Sequence, residues 1–242
     1  MTEYLDRITE LVRRVGEGQR ERIREAAELM VSCLDAGGVV QAFGSGHSEG
    51  LAMEIAGRAG GLVPTNRIAL RDLVLYGDEP LSTLEDPLLE RDPTVAKRLY
   101  ELAPVHENDV FVIASNSGIN GVVVELALHV KQKGHRLIGF TSMEHTGRSE
   151  SLHPSGKRLA EIADVVLDNG SPFGDVILPN QTGAVSSVTA AVLAQLIVTE
   201  VASIIEARGE KPPIYLSANI PGGYEHNLAL EARYAGRIRR TA

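Results

Sequence analysis

Two short stretches of this chain carry residue types suited to holding an oxyanion. The first, Gly44-Ser45-Gly46-His47-Ser48, follows the apolar run Val39–Phe43 and leads into a helix-forming segment, Glu49 to Ala59. The second, Ser115-Asn116-Ser117-Gly118-Ile119-Asn120-Gly121, follows the apolar run Val110–Ala114 and leads into a helix over 122–133. A strand-to-helix turn gathers backbone N–H groups and the positive end of a helix dipole. Gly44 and Gly46 allow a tight turn and close backbone approach, Ser45 and Ser48 add hydroxyls, and Ser48 is also a good N-cap. Either loop alone reads equally as a capped turn. Two of them, about seventy residues apart, point to one phosphate held from two sides, its several oxygens met by several donors.

Groups able to move protons stand near these loops. Glu54 lies six residues past Ser48, which is about 9 Å along a helix. That reach suits the far end of a small ligand whose phosphate sits at the helix start, where a carboxylate can act as a general base. Glu54 also reads as an i,i+4 surface pair with Arg58, and Arg58 as a group that orients the ligand or its anionic substituent. Histidine titrates near neutrality. His47 is inside the first loop, His145 follows the strand ending at Thr141, and His226 sits in a tail able to cross to a partner subunit. Each carries a structural reading beside the catalytic one, and His129, on a helix face, reads as structural.

The elements that must hold these groups alternate between helix and strand. Residues 3–34 show helical apolar spacing, interrupted at Gly16 and Gly18 and ended by Gly37-Gly38. After the first loop and helix come a short strand near Leu62–Pro64 and an irregular stretch up to residue 92, a candidate active-site loop. A helix over Thr94–Ala103 precedes the buried strand Val110–Ala114, and a strand over 136–141 follows the next helix. Residues 142–156 read as a polar loop, 164–167 as a strand, 184–207 as a long helix and 225–238 as a last helix. The alternation predicts an α/β protein with a doubly wound, mostly parallel sheet, its ligand beyond the carboxyl ends of the strands. Three segments are expected: a helical extension over 1–36, the ligand-binding domain over 37–208, and a tail over 209–242.

Composition narrows the function. A net charge of −8 and an aromatic content of 4% leave neither the basic stripe nor the stacking rings that nucleic-acid binding uses. The single cysteine, Cys33, allows no disulfide framework and no cysteine-rich metal site. The apolar stretch Ala184–Ile205 is interrupted by Ser186, Ser187, Thr189, Gln195, Thr199 and Glu200, so a buried helix is expected and no membrane span. No signal-peptide layout opens the chain, and a soluble cytoplasmic protein follows. Gly44, Gly46 and Gly50 fit a dinucleotide-binding glycine pattern only loosely, so no cofactor is expected.

The pairing of GSGHS with SNSG resembles the SIS (sugar isomerase) domain family over residues of about 38–205. HPSGKRL (153–159) and SANIPGGYEHN (217–227) extend the likeness to a bacterial group often labelled phosphoheptose isomerases. The resemblance implies a three-layer α/β/α sandwich with a flavodoxin-like sheet, a homodimer or higher oligomer with shared active sites, and a phosphorylated sugar as ligand. It further implies phosphate contacts by Ser45, Ser48, Ser115, Ser117 and Asn120, with Gly46, His47 and Asn116 in the same loops. Phosphoheptose isomerases carry a histidine and a glutamate on the helix after the first loop, and a glutamine and a histidine later, which serve metal-assisted chemistry. By ungapped count those positions fall here on Glu54, Arg58, Gly183 and Ala191, so no metal site is expected. The catalytic glutamate of muramic acid 6-phosphate etherases falls likewise on Arg58. An isomerase using Glu54, with His145 or His226 in ring opening, is the leading expectation. A sugar-phosphate lyase or etherase, or a non-catalytic sugar-phosphate sensor, stays open beside it.

Overall fold

Residues 110–114 are apolar without interruption because both of their faces are covered. In the computed structural model, which describes residues 2–239, they are the central strand of a five-stranded parallel sheet. The strands are β1 (Val40–Gly44), β2 (Thr65–Ile68), β3 (Val110–Ala114), β4 (Arg136–Thr141) and β5 (Val165–Asp168), in the order β2-β1-β3-β4-β5. All four pairings are parallel. This is the flavodoxin-like order, whose topological switch lies between β1 and β3.

Side-chain alternation sorts the core into two layers. On one face Val40, Ala42, Val110, Val112 and Ala114 meet α1 (Thr2–Gly18), α2 (Arg20–Asp35), α3 (Glu49–Ile55) and α9 (Ser186–Ala207). On the other face Phe43, Phe111 and Ile113 meet α4 (Asp72–Leu75), α5 (Val95–Leu102), α6 (Gly121–Gln132) and α8 (Leu159–Ile162). The short α7 (Met143–Gly147) follows β4, and α10 (Gly223–Glu231) lies in the tail. The N-terminal helices thus share the core of the sheet through Ile8, Leu11, Val15, Ile23 and Met30. By length and hydropathy α9 could cross a membrane, but it buries Leu193, Ile197 and Val201 in that same core.

Several expected boundaries move. α3 stops at Ile55, short of Ala59, because Ala56 is extended (φ −103°, ψ 124°) and Gly57 turns left-handed (φ 79°). The strand expected at 62–64 lies at Thr65–Ile68. Residues 61–63 instead pair with the tail, Val63 N–H donating to the Pro213 carbonyl and Tyr215 N–H to that of Gly61. β2 is a polar edge strand, and Asn66 covers its outer side by donating to the Arg237 carbonyl and accepting from Arg239 N–H. A helix, α7, occupies part of the expected loop 142–156. The last helix ends at Glu231, followed by one 3₁₀ turn to Tyr234 and a left-handed Gly236. The tail lies against its own chain as far as Arg239, and residues 240–242 of the expected tail fall outside the described residues.

Candidate functional site

Both serine loops leave the sheet at the switch point, where α3 goes to one face and α6 to the other. β1 ends at Gly44, where a Cβ would meet the Ser48 carbonyl oxygen at 2.2 Å. Only glycine lets the loop fold back this tightly. Ser45 is extended and buried, and Gly46–Ser48 form one 3₁₀ turn that runs into α3. Ser48 takes helical angles and makes no capping bond, contrary to its expected role as N-cap. Among the described residues the hydroxyls of Ser45, Ser48 and Ser117 and the side chain of Asn120 make no hydrogen bond to protein. Ser115 Oγ accepts from Gly118 N–H at 3.1 Å and shapes the second loop. Asn116 is fixed from the next strand end, its Oδ1 accepting from Asn169 Nδ2 at 2.9 Å.

His47, Ser48, Ser115 and Asn116 line one pocket. The fourth wall is the start of α9, with Ser186 and Ser187. Asp175 fixes that start, accepting from Ser186 N–H at 2.8 Å and from its Oγ at 2.7 Å. The pocket therefore lies between the N-terminal ends of α3 and α9, where partial positive charge gathers. It is small, about 20 Å³, whereas a larger cavity of about 570 Å³ lies elsewhere, beside the last turn of α3. Converging donors, rather than volume, make an oxyanion site. Ser45, Gly46, Ser117 and Asn120 belong to the same loops without lining this pocket.

The irregular stretch between β2 and α5 brings a carboxylate to the first loop. Leu89–Arg91 form a 3₁₀ turn anchored by the buried Leu89. A Cβ on Gly46 would lie 3.5 Å from Glu90 Oε2, and one on Gly121 would lie 2.0 Å from the Arg91 carbonyl oxygen. Glycine at 121 thus permits the turn to seat against the start of α6. Glu90 was absent from the sequence expectations, since nothing in its local pattern distinguishes it. From sequence Ser186 and Ser187 only interrupt an apolar run, although two hydroxyl residues opening a long helix are a usable signal.

The other expected groups fall outside the pocket. Glu54 sits on the last turn of α3, its Oε1 accepting from Gln195 Nε2 at 2.7 Å and from Arg58 Nη1. Arg58 lines the larger cavity. His145 lies in α7 with its ring 4.8 Å from that of Phe173, and its buried Nδ1 has no partner. His226 bonds the Ile214 carbonyl through Nε2 at 3.0 Å, within the tail. His129 packs edge-on against Tyr100 at 4.7 Å, and burial holds its pKa below the usual histidine value.

The positions counted for a metal do not form a donor set. Glu54 is paired with a guanidinium, Gly183 precedes α9, and Ala191 has no ligating atom. Among the described residues no group of three or more His, Cys, Asp or Glu is placed to hold a metal ion.

The strand order and the two loops at its switch point define a flavodoxin-like α/β protein whose ligand side is the carboxyl end of the sheet. A model of the SIS domain matches residues 3–142, and the chain belongs to the SIS domain family. It is 37% identical over 240 residues to the UPF0309 protein lmo0025 of Listeria monocytogenes, covering 97% of each. With a UPF0309 protein of Geobacillus thermodenitrificans it shares 34% identity over 241 residues, covering 98% of this chain and 95% of that one. Among solved structures it is similar in fold to phosphoheptose isomerase GmhA of Neisseria gonorrhoeae. That likeness has a TM-score of 0.57 at 19% identity and covers 84% of this chain and 96% of that one. It is also similar to a phosphoheptose isomerase of Francisella tularensis, with a TM-score of 0.53 at 15% identity, covering 83% of this chain and 95% of that one.

Proposed function

We propose that this chain binds a phosphorylated sugar, its phosphate held between the Gly44–Ser48 and Ser115–Asn120 loops, and isomerises it between aldose and ketose through an enediol. The observation that carries the reading is the uncommitted hydroxyl of Ser48, brought into one pocket with Ser115 and Asn116 at the switch point between two helix starts. A phosphate monoester offers the charge and the acceptor oxygens that such donors serve. Membership of the SIS domain family and the fold shared with phosphoheptose isomerases support the sugar as the remainder of the ligand.

Between Glu54 and Glu90, the geometry favours Glu90 as the base. Its carboxylate lies against Gly46, while that of Glu54 is held by Gln195 and Arg58. The reading takes the protein to be soluble and cytoplasmic and to work as a homodimer. The half-exposed residues Val188, Ala191 and Val192 on α9 suit a second copy, and sedimentation would report the dimer.

The test has two stages. A panel of sugar phosphates is screened for a rise in melting temperature, since a ligand of the native state stabilises it. The ligand found is then incubated with enzyme in deuterium oxide, and label at the carbon beside the carbonyl is read by mass spectrometry. Exchange in wild type and Glu54→Gln but not in Glu90→Gln is the expected result. A second reading, a non-catalytic sugar-phosphate sensor, draws on the engagement of Glu54 away from the pocket. A ligand that binds but shows no exchange in wild type would decide for it.

A further inference from the structure

A cavity larger than the serine-loop pocket lies away from both loops. It measures about 570 Å³ and opens beyond the last turn of α3, between β2 and the tail. Three arginines line it from three separate parts of the chain, Arg58, Arg67 and Arg239, and one carboxylate, Glu231, lines it with them. For a protein with a net charge of −8, this is an unusual concentration of positive charge in one hollow.

Each guanidinium is steadied from outside the cavity. Arg58 pairs with Glu54 through Nη1, Arg67 lies 4.0 Å from Glu49, and Arg239 stacks 3.8 Å over the Tyr76 ring while donating to the Leu102 carbonyl. A guanidinium carries five N–H donors in a rigid fork, so one held along one edge still presents donors along another. That fork matches the paired oxygens of a carboxylate or phosphate. Met53, Leu216 and Ile238 supply apolar wall. A hollow of this size, mostly apolar with a few placed charges, is the usual form of a small-molecule site.

We propose that this cavity is a second binding site, for a small metabolite whose carboxylate or phosphate group is received by Arg58 and Arg239, with the charge of Arg67 beside them. The ligand's uncharged part lies against Met53, Leu216 and Ile238. The site is separate from the serine loops, and its occupancy does not depend on what they bind.

Calorimetric titration of the full chain with citrate and with glycerol 3-phosphate tests this, the two probes distinguishing a carboxylate from a phosphate ligand. At least one is expected to bind saturably to wild type and equally to a Ser48→Ala, Ser115→Ala double variant. An Arg58→Gln, Arg239→Gln double variant is expected to weaken that binding by about tenfold or more, the loss of at least one charge-assisted hydrogen bond. Ala218→Trp, which leaves all three arginines and fills the cavity from its exposed side, is expected to weaken it as much. It keeps the test decisive if the arginine variant does not fold. Failure of both probes to bind wild type overturns the proposal. So does binding that survives Ala218→Trp, or that disappears with the loop serines.

Discussion

Gly44 of β1 and Ala114 of β3 are register partners, the last residues of two neighbouring parallel strands. The loops that follow them therefore leave the sheet side by side and at the same height. From there their helices diverge to opposite faces of the sheet, and a crevice opens between them. Residues far apart in the chain, Ser48 and Ser115, reach one pocket for this reason.

Removal of either hydroxyl should weaken binding of the anion. Hydrogen bonds to charged groups contribute about 1.5–3 kcal/mol, so Ser48→Ala should raise the dissociation constant for a bound sugar phosphate by about tenfold or more. Ser115→Ala should cost at least as much, because Ser115 Oγ also holds Gly118 N–H. Calorimetry checks both, and unchanged melting of the unliganded Ser48→Ala protein separates loss of contact from loss of structure. An unaltered affinity in both variants would remove the phosphate from these loops.

Gln195 offers a test of what Glu54 does. Its amide donates to Glu54 Oε1 across the seam between α3 and α9. Gln195→Leu keeps similar bulk and removes the donor, while Arg58 still pairs with Glu54, so stability should fall by about 0.5–1.5 kcal/mol, the net contribution of one hydrogen bond. With Glu90 as base, kcat on the sugar phosphate should change little. A large fall in kcat at constant KM would instead make Gln195 a positioning residue for a catalytic Glu54.

Much of the architecture was legible because sheets covered on both faces leave continuous apolar runs. Val110–Ala114 and Val39–Phe43 are of that kind, and the loops after them followed from glycine and serine at strand ends. β2 escaped because its sequence, Thr65-Asn66-Arg67-Ile68, is that of an edge strand whose polar side chains serve the tail. Glu54 was judged by its neighbour Arg58, which does pair with it, but Gln195 lies 141 residues further on, beyond any local pattern. Glu90 escaped for the same reason. Its place depends on Leu89 entering the core and on Gly46 and Gly121 leaving room, all of them tertiary facts.

Acid should destabilise the fold through His135. This residue is buried, its Nδ1 bonded to the Asp109 carbonyl at 3.0 Å and its Nε2 to Tyr100 Oη at 2.8 Å. The carbonyl can only accept, so Nδ1 carries the proton and Nε2 accepts from the phenol, a satisfied neutral ring. Burial lowers the His135 pKa, partly opposed by the Asp109 contact. The unfolded chain takes up this proton at about pH 6.5, the folded chain only at lower pH. Stability is therefore level above about pH 6.5 and falls as pH drops below it, until the folded ring also titrates. Urea unfolding near pH 7.5 and near pH 5.5 should show this loss in wild type, and a smaller one in His135→Gln. Equal losses in the two proteins would place the acid sensitivity elsewhere, with His129 the next histidine to replace.

The tail is fastened to the sheet by an ion pair whose two halves should not be equivalent. Arg237 Nη2 meets Asp109 Oδ1 at 2.6 Å, and the Asp109 side chain is fully buried while that of Arg237 is 17% exposed. Asp109 also accepts from Val39 N–H, Gln41 Nε2 and His106 N–H at 2.8–3.0 Å. Asp109→Ala strands those three donors as well as the guanidinium, and should cost about 3–5 kcal/mol, as breaking a buried pair does. Arg237→Met leaves the carboxylate with its three remaining donors, and a cost of about 1–2 kcal/mol is expected, that of one charged hydrogen bond. Denaturant unfolding gives both values. Limited proteolysis should also show the Arg237→Met chain cut more readily beyond Glu231, where the tail loses its anchor on the sheet. Equal destabilisation by the two changes would mean that the backbone N–H groups around Asp109 do not compensate its charge.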